Sequence, residues 1–113
     1  MIYLPVVFFA LAAAGGVTLV IMKNSGKEIP MILALGHGIF AATGLVTLII
    51  NVMRDMSNML MNISMICFIV IALGGFLLFS FYLRKKPLPN ALIAIHGLGA
   101  IASFVVLLIA IFK

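Results

Sequence analysis

The sequence predicts an all-α integral membrane protein: four transmembrane helices in an up-down-up-down bundle, made of two tandem helical hairpins related by a pseudo-twofold axis. Three observations predict it. Of 113 residues, 66% are hydrophobic and 8% charged, with a mean hydropathy of +1.44, outside the range of water-soluble domains. Four apolar segments, 2–22, 30–53, 59–83 and 89–112, each approach or exceed the roughly 20 residues that cross about 30 Å of hydrocarbon as a helix. The second half also repeats the first at a constant offset of 59 without a gap. One membrane domain, 1–113, is expected, with repeat 1 over 1–54 and repeat 2 over 60–113.

The first segment superficially resembles a signal peptide, because Ala10-Leu11-Ala12 looks like a cleavage site. No basic residue precedes the apolar run, and the third segment repeats it deep in the chain, so a retained helix is expected. Asn24-Ser25-Gly26 ends it. Pro30 suits the first turn of the second helix, where a missing amide hydrogen does no harm. Arg54-Asp55-Met56-Ser57-Asn58 joins the halves. The connection from Arg84 to Asn90 holds two prolines, and the second, Pro89, opens the fourth helix.

The repeat is read from identities: Gly15-Gly16 with Gly74-Gly75, Lys27 with Lys86, Pro30 with Pro89, Leu33 with Leu92, His37-Gly38 with His96-Gly97, Ala41 with Ala100, and Val46 with Val105. Two spans per repeat send both halves into the membrane in the same direction. The formal charge of +5 lies in short connections, where basic residues set orientation rather than bind nucleic acid. Lys23, Lys27, Arg84, Lys85 and Lys86 occupy the first and third connections, against Arg54 and Lys113 at the other end. This places those two connections in the cytoplasm and both termini outside, for a multi-pass protein of the bacterial inner membrane.

Two histidines inside apolar spans need an explanation, since intramembrane ionisable groups are rare and commonly functional. Each stands seven residues after its proline, about 10 Å into its helix. Counting back along the neighbouring helices puts Gly15, Gly16, Gly74 and Gly75 at a similar depth. Helices 2 and 4 are diagonal in such a bundle, so His37 and His96 face each other across a gap that suits a metal held by two imidazoles at about 2 Å each. Paired glycines on helices 1 and 3 leave room for a flat macrocycle. Gly38, Gly97, Ala41 and Ala100, with Gly36 and Gly99, trim helices 2 and 4 in the same zone. The expectation is one haem b per chain, with His37 and His96 as its axial ligands. Its propionates point to the basic end, where Lys23, Lys27, Arg84, Lys85 and Lys86 are candidate partners.

In this layout the sequence resembles transmembrane b-type cytochromes, whose four-helix cores hold haem between histidines on separate helices; the second histidine pair of a two-haem core is absent. It is also similar to small bacterial four-helix membrane proteins with a proline, six residues and His-Gly in each of two hairpins. Two axial histidines leave no open position on the iron, which implies single-electron transfer rather than oxygen or substrate chemistry. A quinol is a candidate donor, and a single haem near one face requires a redox partner protein or a bound quinone. A haem carrier or sensor is the alternative that keeps the cofactor. A cofactor-free membrane assembly or structural protein is the alternative that drops it. Glycine faces not used by the ligand are suited to a homodimer.

The plainer readings run beside these. Neutral histidines can donate to a helix carbonyl or to Thr43, Ser80 or Ser103, and glycine pairs can serve close helix packing alone. Met53, Met56, Met59, Met61 and Met65 gather at the end away from the histidines and read as packing, not copper ligands. Cys67, the only cysteine, reads as a packed thiol, and Tyr3 and Tyr82 as interfacial anchors. Glu28 and Asp55, the only carboxylates, both belong to connections, which disfavours a proton-coupled transporter. Hydrolase and nucleotide-binding motifs are missing.

Overall fold

A computed structural model describes residues 2–113. Four helices form in chain order: α1 (Leu4–Asn24), α2 (Met31–Arg54), α3 (Met59–Leu83) and α4 (Asn90–Phe112). No strand occurs among the described residues. Each helix is long and apolar enough to cross a membrane, and the long dimension of 44 Å fits a bilayer with its headgroup regions, about 40–45 Å. The chain is a multi-pass membrane protein with an all-helical fold.

The ends of the helices follow local chemistry. Pro5 sits in the first turn of α1. Pro30 and Pro89, expected inside the first turns of α2 and α4, stand one position earlier as N-caps, with ψ of 141° and 126°. Extended backbone there lets the ring precede the helix without clashing with it. Asn58 caps α3 by accepting from Met61 N at 3.1 Å, and its Nδ2 donates to Ala110 O at 3.0 Å, tying the start of α3 to the last turn of α4.

Helices α1 and α3 end alike. Gly26 N donates to Lys23 O and Lys27 N to Met22 O; 59 residues later Lys85 N donates to Tyr82 O and Lys86 N to Phe81 O. This is the Schellman arrangement, which needs a left-handed residue after the helix. Gly26 takes it with φ 73°, and Lys85 takes it with φ 56° in spite of its side chain.

Helix α1 packs along α2 and α3 along α4, α2 also meets α3, and α1 touches α4 least. Although α1 and α3 are not backbone neighbours, Phe9 and Phe68 stack between them with ring centres 3.8 Å apart and planes 5° apart. Leu48 and Leu107, both fully buried, join Val52 and Met61 in the same cluster. Close approach there depends on small residues: Gly44, where a Cβ would meet the Phe9 ring at 3.0 Å, and Ser64, whose Oγ donates to Ser103 O at 3.1 Å. Among the methionines, Met61 is buried and Met65 packs on the core, whereas Met53, Met56 and Met59 are exposed.

The core therefore fills one half of the bundle. No described residue between Ala12 and Gly44, or between Phe68 and Ser103, is fully buried. Both histidines lie in that looser half.

Candidate functional site

His37 on α2 and His96 on α4 lie close together, with ring centres 6.3 Å apart and planes 83° apart. Each ring is anchored within its own hairpin. His37 Nδ1 lies 2.7 Å from Ala12 O on α1, and His96 Nδ1 lies 3.0 Å from Ile71 O on α3. Ala12 and Ile71 are themselves 59 residues apart. A carbonyl oxygen can only accept, so both bonds place the ring proton on Nδ1 and leave the lone pair on Nε2. Neither Nε2 has a hydrogen-bond partner among the described residues.

The glycine pairs are what let the rings reach those carbonyls. A Cβ on Gly16 would stand 3.0 Å from His37 Cε1, and one on Gly75 would stand 3.0 Å from His96 Cε1. A Cβ on Gly15 would stand 3.5 Å from His37 Cβ, and one on Gly74 3.7 Å from His96 Nδ1. The spacing pointed to these four glycines as room for a macrocycle; in the structure their open faces receive the imidazoles of the same hairpin. Gly38 and Gly97 meet nothing within 4 Å, so they lie to the side of the histidine face. Ala41 and Ala100, one turn beyond the histidines, are half-buried.

The hydroxyl partners considered from sequence are engaged elsewhere: Thr43 donates to Ile39 O, Ser80 to Leu77 O and Ser103 to Gly99 O. The helix carbonyls are the acceptors. Any residue type supplies a carbonyl, so no sequence signal marked Ala12 or Ile71.

At the basic end, Lys23, Lys27, Lys85 and Lys86 line one cleft. Arg84 does not join them; its guanidinium folds back over the Phe81 ring at 5.0 Å and onto Ser80. Tyr82, read from sequence as an interfacial anchor, donates to Ile29 O at 2.7 Å.

The donor set limits what the pair can hold. No group of three or more His, Cys, Asp or Glu side chains converges among the described residues, which leaves a zinc or copper ion short of its usual protein ligands. Two imidazoles suit a metal whose remaining ligands come with it. A metal bound by both Nε2 atoms at about 2 Å holds the two ring centres about 6 Å apart, close to the 6.3 Å found. Histidines that bind metal also commonly donate their other ring proton to a backbone carbonyl, as both do here. Two imidazoles that each give the Nδ1 proton to a carbonyl are the donor chemistry of a bis-histidine haem.

No family model, curated protein or solved structure matches the chain.

Proposed function

We propose that the protein is a small membrane cytochrome of the b type, carrying one haem b per chain between His37 and His96 and passing single electrons. The observation that carries this reading is the pair of neighbouring imidazoles, 6.3 Å between centres, each with Nδ1 bonded to a helix carbonyl and no hydrogen-bond partner on Nε2 among the described residues. His37 and His96 would hold the haem, and the group would supply one-electron exchange rather than oxygen or substrate chemistry.

The protein's own part is to fix the ligands. The Ala12 and Ile71 carbonyls set the tautomer and hold each ring edge-on to its hairpin, while Gly16 and Gly75 keep the rings close to α1 and α3. No described residue at the depth of the histidines is fully buried, and the stacked Phe9–Phe68 core fills the other end. Lys23, Lys27, Lys85 and Lys86 supply positive charge toward which acidic haem edges would turn.

The reading includes an up-down-up-down topology with pseudo-twofold symmetry. Pairs 59 residues apart support it, since Phe9–Phe68, His37–His96 and the two carbonyl bonds all obey that offset. By the distribution of basic residues, both termini lie outside the cytoplasm of a bacterial inner membrane. A quinol and a redox partner protein complete the electron path, and a homodimer would use the glycine faces left open at Gly38 and Gly97.

A second reading has an observation of its own. The hydrogen bonds to Ala12 and Ile71 would by themselves satisfy two neutral histidines in a cofactor-free structural protein. Absorption spectra of the purified protein, supplied with haem during expression, separate the two. A sharp Soret band with split visible bands on reduction, and rapid reduction by a quinol analogue, are expected of the cytochrome. A colourless protein would establish the structural reading. A loaded protein that a quinol analogue reduces no faster than free haem, but that passes its haem to an acceptor protein, would make it a carrier.

A further inference from the structure

We propose that the cleft at the basic end of the bundle binds the phosphate headgroup of an anionic phospholipid. The cleft has a volume of about 630 Å³ and lies where α1 and α3 end and α2 and α4 begin. Four lysines, Lys23, Lys27, Lys85 and Lys86, face a single carboxylate, Glu28, in its lining. None of the four makes an ion pair among the described residues, so their charge is available to a ligand.

Two hydrogen bonds that cross between the hairpins frame the cleft. Lys23 Nζ donates to Asn90 Oδ1 at 2.8 Å, and Tyr82 Oη donates to Ile29 O at 2.7 Å. Lys23 and Tyr82 are equivalent positions of the two repeats, so each hairpin reaches across to the start of the other's second helix. These bonds hold the walls of the cleft together and leave Lys27 and Lys86, also equivalent positions, exposed at its rim.

The lining selects the occupant. A free anion would need only the lysines, whereas Met31, Leu83 and Leu88 add apolar surface beside them. A phospholipid matches both, with a phosphate for the lysines and acyl chains for the apolar wall. The position at the ends of four membrane-spanning helices is the depth at which headgroups lie, and basic pockets between such helices are recurrent headgroup sites. Neither histidine lines the cleft, so the assignment needs no bound haem, but its four lysines are those toward which acidic haem edges would turn, and the test is therefore run on protein prepared without haem.

The test reconstitutes the full chain in vesicles of equal phosphatidylglycerol and phosphatidylcholine, extracts it in mild detergent and measures retained lipid by native mass spectrometry. The wild type is expected to keep phosphatidylglycerol. Each basic residue near an anionic surface is worth about fivefold in affinity, so Lys27→Gln/Lys86→Gln should weaken retention by about 30-fold. Arg54→Gln/Lys113→Gln removes the same charge at the opposite end and should leave retention unchanged. Lys27→Arg/Lys86→Arg, which preserves charge, should behave as wild type and separates loss of binding from loss of fold. Equal retention of the two lipids by the wild type, or equal loss in both glutamine variants, would overturn the proposal. So would displacement of the lipid by millimolar inorganic phosphate, which would assign the cleft to a soluble anion.

Discussion

His37 donates through Nδ1 to the Ala12 carbonyl at 2.7 Å, across the interface between α2 and α1, and Gly16 lies one turn beyond that carbonyl against the imidazole edge. The second hairpin does the same with His96, Ile71 and Gly75. The position of each ring thus depends on an absent side chain. Gly16→Val and Gly75→Val place branched carbons where even a Cβ would meet Cε1 at 3.0 Å. Each should cost about 1–3 kcal/mol in reversible unfolding in detergent, the usual penalty of overpacking. Gly36→Ala, at a position with nothing within 4 Å, should be neutral or stabilising by up to about 1 kcal/mol through helix propensity.

The matched ends of α1 and α3 give a second prediction. Lys85 holds a left-handed φ of 56° where the first repeat has Gly26 at 73°. Lys85→Gly should raise stability by about 1 kcal/mol by relieving the clash of Cβ with the backbone, and Gly26→Ala should lower it by a similar amount. Thermal unfolding in detergent, followed by circular dichroism, measures both.

Leu48 and Leu107 lie 59 residues apart and are equally inaccessible, each at 0% exposure. In lipid the transfer of a methyl group out of water no longer contributes, so the cost of Leu→Ala is mainly the cavity, about 2 kcal/mol. The two variants should be destabilised alike, since both side chains are buried in the same cluster. Markedly unequal losses would contradict the equivalence of the two hairpins.

Much of this was legible in the sequence because hydropathy, prolines and histidines are signals of residue type. Four apolar runs marked the spans to within a few residues, and the shared interval from Pro30 to His37 and from Pro89 to His96 put both rings at one depth. The prolines were misjudged by one position, since a proline fits equally well just before a helix and in its first turn. Relations that depend on the backbone were hidden. The Ala12 and Ile71 carbonyls carry no side-chain signature, and Lys85 at a left-handed position reads as an ordinary basic residue. The stack of Phe9 on Phe68 was also concealed, because nine phenylalanines spread over apolar spans give no sign of which two meet.

The central claim is that both imidazoles of this pair bind one metal, and ligand replacement tests it most directly. Haem titrated into the purified protein should saturate at one per chain with a six-coordinate, low-spin absorption spectrum. His37→Ala and His96→Ala should each convert that spectrum to a five-coordinate, high-spin form or abolish binding, and added imidazole should restore the low-spin bands by filling the vacated place. A low-spin spectrum that survives either substitution unchanged, or a wild-type protein that takes up no haem, would contradict the account.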